Sequence, residues 1–286
     1  MKQKYSKTTI ALILGALSSS NGFAQSNAPT VLASTSNPMN PIIVTATRSP
    51  TKASDVLADN VYIGPEEIEQ AGQTTLVELL QRQKGVTISS YGTGGSNASV
   101  FLRGTTNNQT LVLIDGVRID DTISGGTNWS VIPLTIIDHI EIVFGPQSSL
   151  YGSDAIGGVV QLFTRKGEGP TKFYADAGYG TYGTTSENIG VEGSESGLSY
   201  SVYGGSTHSV SFPTLINSPY NKQPASYTNT NASANLVYTI APGQELGIKT
   251  LYGSGQNGFT STSAANGLAT GPATSFESLN VLSAFT

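Results

Sequence analysis

Two patterns of apolar and polar residues divide this chain near position 165. Beyond it, apolar residues recur at every second position. Phe173, Ala175, Ala177 and Tyr179 alternate with small or polar neighbours, as do Leu198, Tyr200 and Val202. The clearest run sets Ala232, Ala234, Leu236, Tyr238 and Ile240 against Asn231, Ser233, Asn235 and Thr239, with Val237 as the one intruder. A period of two places one set on each face of a β-strand. Pro242-Gly243-Gln244 is a tight turn, and Leu246, Ile248 and Tyr252 continue the alternation. The pattern predicts about six antiparallel strands of roughly ten residues, with short turns alternating with the longer loops 207–228 and 257–273.

Before position 165 the periods are mixed. Val61-Tyr62-Ile63 predicts a short strand, and Pro65-Glu66-Glu67-Ile68 starts a helix that stops by Gly72. A second helix begins at Thr75, whose hydroxyl can cap while Glu78 stands three residues on, and Leu76, Leu79 and Leu80 share its inner side up to Gly85. Strands are expected at Val86-Thr87-Ile88, Val100 to Arg103, Leu111 to Ile114 and Ile136 to Phe144, with Ile137, Ile140 and Ile142 in the core. Residues 91–97 and 120–130 read as polar, glycine-containing loops, the second holding Trp129. Glycines 145, 152, 157 and 158 precede a last strand, Val159 to Thr164. The first half is therefore an α+β unit.

Composition sharpens this picture. Charged residues are 12% of the chain, against about 25% in an average soluble domain. Residues 1–24 have the form of a secretory signal peptide: Lys2, Lys4 and Lys7, an apolar core from Ile10 to Leu17, and the small-x-small site Gly22-Phe23-Ala24. Without those three lysines, 11 basic residues face 19 acidic ones, a net charge of −8 that argues against a nucleic-acid partner. No other apolar run approaches the ~20 residues a spanning helix needs, so any membrane crossing falls to the strands. A soluble β-sandwich is the alternative; the leader and the low charge favour a transmembrane barrel with lipid on its apolar face. Cysteine is absent, which excludes disulfides and thiol chemistry. Residues 25–39 read as a flexible linker, followed by the isolated apolar stretch Pro41 to Thr47, which by itself suggests the first strand of the folded unit.

Little points to catalysis. Gly178 to Gly183 satisfies the dinucleotide pattern G-x-G-x-x-G, but no helical periodicity follows, and a hairpin turn is expected. His139 and His208 lie in different halves and form no metal or triad set. The expectations are no enzyme, no metal and no cofactor.

Three motifs in order, Phe101-Leu102-Arg103-Gly104-Thr105, Leu111 to Arg118 and Tyr151 to Val160, resemble the plug domain of TonB-dependent outer-membrane receptors, and most nearly their cobalamin-receptor branch. The resemblance implies an α+β plug over residues 48–167 followed, over 168–286, by the first part of an antiparallel transmembrane β-barrel. It implies that residues 40–47 are a TonB box, with Ile42, Ile43, Val44, Thr45 and Ala46 pairing as an added strand with a TonB-type energy transducer in the periplasm. It carries ligand contacts onto the plug-loop positions Ser99, Ile123 and Ser124, with Asn97 and Thr106 on the same loops, and a plug–barrel lock onto Arg103. A second family arginine usually stands where this chain has Phe144. The function implied is energy-coupled uptake, through outer-membrane lipid, of an extracellular small molecule, cobalamin or a metal chelate such as a ferric siderophore. The aspartate-rich calcium cluster of the cobalamin branch has no counterpart, since after Asp154 only Asp176 remains. Large outer-membrane transporters close with 22 strands, whereas 117 residues follow position 169. The sheet is thus expected to be the start of a longer barrel, or a truncated, non-transporting surface-binding protein.

Overall fold

The computed structural model of this chain describes residues 40–72, 75–90, 98–121, 125–210, 226–262 and 269–285. The expected leader (1–24) and linker (25–39) lie outside them. An antiparallel hairpin opens the described chain, β1 (Ile42–Ile43) with β2 (Thr51–Lys52). Then come β3 (Asn60–Ile63), helix α1 (Pro65–Gln70), helix α2 (Leu76–Gln81), β4 (Val86–Ser90), β5 (Ala98–Leu102), β6 (Thr110–Ile114), β7 (Val117–Arg118), β8 (Ile137–Phe144), the single helical turn α3 (Ser148–Tyr151) and β9 (Gly158–Thr164). Both helix starts follow the sequence. Pro65 occupies the first turn of α1 with Glu66 and Glu67 beside it. The Thr75 hydroxyl accepts the Glu78 N–H at 3.2 Å.

Five of these strands form one sheet in the order β3-β8-β9-β6-β7, with β6 and β9 parallel. Parallel strands are ordinarily covered on both faces, and β6, Thr-Leu-Val-Leu-Ile, is buried throughout. On one face Val112, Ile114, Ile140, Ile142, Val160 and Leu162 pack with Leu76, Leu79 and Leu80 of α2. On the other, Leu111, Leu113, Ala155 and Val159 form a smaller cluster against Tyr151.

The second half is a six-stranded antiparallel meander: β10 (Lys172–Gly180), β11 (Thr184–Glu195), β12 (Leu198–Val210), β13 (Ser226–Ala241), β14 (Gln244–Thr262) and β15 (Ala269–Phe285). Ser196 and Gly197 both have positive φ, 51° and 81°, the geometry that joins β11 to β12 in two residues. The Gly178–Gly183 pattern is the β10–β11 hairpin, with Tyr182 and Gly183 at φ 58° and 62°. At 16, 19 and 17 residues, β13, β14 and β15 are longer than expected and exceed the ~9–11 residues that cross a hydrocarbon core.

Outward-pointing Leu236, Tyr238, Ile240, Ile248 and Leu282 are exposed, whereas inward-pointing Asn229, Asn231, Asn235 and Asn257 are buried. The intruder Val237 points inward and is 9% exposed. Tyr203, Leu251 and Val281 of this wall join the buried cluster of the first half. Contact is close enough that a Cβ on Gly253 would lie 2.3 Å from the Val131 carbonyl oxygen.

Two local expectations change. Trp129, expected in a polar loop, is 2% exposed in a 3-10 turn (Trp129–Val131) wedged between α2 and the wall. The stretch Pro41 to Thr47 is extended only at Ile42 and Ile43; from Val44 it winds into a turn closed by the Arg48 N–H donating to the Val44 carbonyl at 2.8 Å. Arg48 itself sits at φ 56°.

Candidate functional site

The turn at residues 44–48 is held from below by the second face of the five-stranded sheet. On that face β8 and β9 present Glu141 and Gln161 opposite each other, the first 1% exposed and the second 7%. Unpaired polar groups so deep in a sheet are costly, and both find their partners in the N-terminal segment. The Glu141 carboxylate accepts the Val44 N–H at 3.0 Å and 3.2 Å and the Thr45 N–H at 2.7 Å. The Thr45 hydroxyl, wholly buried, donates to Gln161 Oε1 at 3.1 Å, and the Tyr151 hydroxyl donates to the Thr45 carbonyl at 2.8 Å. Arg48 lies over the Tyr151 ring, 4.6 Å from its centroid. Ile43 is buried, Ala46 half-buried, and Ile42 63% exposed.

His139 completes this cluster. Its ring stacks on Phe163 at 4.2 Å, its Nδ1 is 2.7 Å from Asp138, and its Nε2 is 3.8 Å from Glu141. Burial alone would push the Glu141 carboxyl up; the nearby His139 ring and the bonds from Thr45 and Val44 outweigh it and hold the pKa below the usual value. For His139, burial pulls down, and the bond to Asp138 with the nearby Glu141 carboxylate outweighs it to leave the pKa raised.

Of the residues expected to face a ligand, Asn97, Ile123 and Ser124 lie outside the described residues. Ser99 is on β5, paired across from Ser89 of β4. Thr106 is exposed, and its N–H donates to Gln109 Oε1 at 3.1 Å. A Cβ on Gly125 would lie 3.0 Å from Asn108 Cβ, two positions after Thr106. Asp120 receives the Thr127 hydroxyl at 3.2 Å and the Arg118 Nε at 2.7 Å; Arg118 also bonds Asp154.

Arg103 is not the buried strand residue its neighbours suggest. It follows β5 in the left-handed region at φ 50°, with its side chain half exposed. It pairs with Asp59 and lies over the Phe144 ring at 4.6 Å, the position where the resemblance expects a second arginine. The sequence reading missed the residues that do tie the two halves together. Lys249 of β14 meets Asp115 at 3.2 Å, and Asp115 also accepts the Thr164 hydroxyl at 2.5 Å. The Ser130 hydroxyl donates to Glu277 at 2.5 Å, and the Ser130 carbonyl accepts the Asn229 amide at 2.7 Å. Beside the Ser130–Asn229 tie is a cavity of about 770 Å³, whose lining includes Glu69, Thr75, Trp129, Asn188 and Asn231.

Residues 52–159 match the family model described as TonB-dependent Receptor Plug Domain. The chain is 43% identical over 139 residues to a vitamin B12 transporter of Vibrio vulnificus, covering 49% of this chain and 23% of the relative. It is 41% identical over 159 residues to that of Vibrio cholerae, covering 56% and 25%. Among solved structures, the ferripyoverdine receptor of Pseudomonas aeruginosa aligns with a TM-score of 0.64 at 16% identity, over 76% of this chain and 28% of that one. The ferric enterobactin receptor of the same organism aligns with a TM-score of 0.56 at 22% identity, over 70% and 33%. These two likenesses are of fold. The chain spans about a quarter of the length of the curated relatives it matches.

Proposed function

Since residues 52–159 are a plug domain of the TonB-dependent receptor family, continued by strands like the start of that family's barrel, we propose that the chain belongs to an outer-membrane receptor for energy-coupled nutrient uptake. The cargo is an extracellular small molecule of the cobalamin type, a reading supported by the 43% identity to a vitamin B12 transporter. Metal chelates are the second class, since the structural neighbours include siderophore receptors. The observation that carries the proposal is the seam between the halves. A water-soluble plug core is tied by Asp115–Lys249 and Ser130–Glu277 to the polar side of a sheet whose other side is apolar and exposed. Such a sheet fits lipid outside and a plugged lumen inside.

In this reading residues 42–46 face the periplasm and add a strand to a TonB-type transducer, while Asn97, Ser99, Thr106, Ile123 and Ser124 face the ligand. Energy coupling then acts on the first group and capture on the second. The test is uptake of labelled cyanocobalamin and of a ferric siderophore by cells whose only such receptor is the complete protein, with and without the transducer. Transducer-dependent uptake of cyanocobalamin is expected. Uptake of neither compound, with the receptor present in the outer membrane, refutes the proposal.

A further inference from the structure

We propose that Glu141 is a positioning residue that keeps residues 42–48 folded against the plug and thereby withholds them from the transducer; this rests on the strand-addition reading above. Strand addition needs an extended segment offering a row of free N–H and C=O groups. The segment here offers few. The Val44 and Thr45 N–H groups are both taken by Glu141, the Thr45 carbonyl by Tyr151, and the Val44 carbonyl by the Arg48 N–H.

The geometry makes the two states exclusive. In an extended strand, successive N–H groups point to opposite edges. Two neighbouring N–H groups converge on one carboxylate only because the chain is wound into a turn at that point. A partner pairing along either edge would need one of the two that Glu141 holds. Docking and strand addition therefore compete for the same main-chain donors.

The chemistry of Glu141 fits this role. It is almost wholly buried at the centre of the plug sheet, yet no lysine or arginine pairs with it among the described residues. Among the described residues, the basic side chain that comes within 4 Å of it is His139, at 3.8 Å. Its charge is met mainly by the two amides, bonds strengthened by that charge. When the segment leaves, Glu141 and Gln161 lose these partners and must exchange them for water, so the docked bonds hold the segment until a competing partner or a change elsewhere in the receptor releases it.

The chain contains no cysteine, so Ile42→Cys, at an exposed position, gives a single spin-label site within it, and any cysteine in the remainder of the complete receptor is first replaced by serine. Label mobility and binding of the transducer's purified periplasmic domain are measured in membranes without ligand, for Glu141→Gln, Glu141→Ala, Glu141→Asp and Tyr151→Phe. A charge-assisted bond outweighs a neutral one, so Glu141→Gln and Glu141→Ala should free the label and raise transducer binding about tenfold or more. Tyr151→Phe should raise it a fewfold, and Glu141→Asp should restore part of the hold. Receptor yield and protease resistance of the plug should stay at wild-type levels in Glu141→Asp and Tyr151→Phe, which keeps the graded order readable if Glu141→Ala misfolds. An immobile label in Glu141→Gln and Tyr151→Phe, or a free label with unchanged transducer binding, overturns the inference. A synthetic peptide of residues 40–48 separates the two readings. If the peptide does not bind the transducer domain, strand addition itself fails, and the inference with it. If it binds and the variants do not differ from wild type, only the inference fails.

Discussion

In the plug sheet Ile140, Ile142, Val160 and Leu162 are completely buried, while in the wall sheet Leu236, Ile240, Ile248 and Leu282 are 43–75% exposed and the buried positions include Asn229, Asn231, Asn235 and Asn257. The plug sheet is covered on both faces, with β6 buried along its whole length, whereas the wall alternates and hides only its inward half. The plug folds as a water-soluble domain does, with its driving force in apolar burial. The wall leaves its apolar half uncovered and fills its other side with the plug. Alternation alone therefore says where a strand is, and composition and context say which face is wet.

The largest effect should come from opening the plug core. Leu162→Ala, at a position with no exposure, should cost about 2–5 kcal/mol, read as lost hydrogen-exchange protection of plug amides in the complete receptor. Trimming an outer-face residue such as Ile248 to alanine should leave that protection unchanged. Next comes a charge on the outer face. Leu282→Lys should destabilise the membrane-inserted receptor by up to about 2–4 kcal/mol, measured by urea unfolding in lipid, while Ser283→Lys on the neighbouring inward position costs less. Equal costs at both positions would erase the comparison.

The smallest effect should be on pH. The lowered Glu141 pKa supports docking above the ordinary carboxylate value, and that support is lost as pH falls through the folded value. His139 meets Asp138 and Glu141, so its protonation bears on docking only through Glu141. A label at position 42 should be held at neutral pH and become freer as pH falls below the ordinary carboxylate value and through the folded Glu141 value.

Much of this was legible in the sequence. The Thr75 cap with Glu78, the Pro65 start and the six wall strands follow from local rules. Even Val237, which breaks its strand's pattern, is explained once the inner side of that strand is known to meet the plug. What escaped reading was long-range. Glu141 sits between Ile140 and Ile142 and alternation sends it to the opposite face, but nothing nearby says that residues 44–45, almost a hundred positions earlier, cover that face. The same holds for Lys249 on Asp115 and Glu277 on Ser130. Arg103 lies just past the end of its expected strand because the left-handed turn after Leu102 lifts it out, and its role as a lock rests on resemblance. The loop positions Asn97, Ile123 and Ser124 rest on resemblance.

The most direct test of the wall's orientation is a cysteine scan through residues 231–240 of β13 in the complete receptor, each site carrying a spin label probed with a lipid-soluble and a water-soluble relaxation agent. Positions 232, 234, 236, 238 and 240 should respond to the lipid-soluble agent, and positions 231, 233, 235, 237 and 239 should be shielded from it. A flat profile, or even-numbered positions open to water instead, would contradict a membrane wall wrapped around the plug.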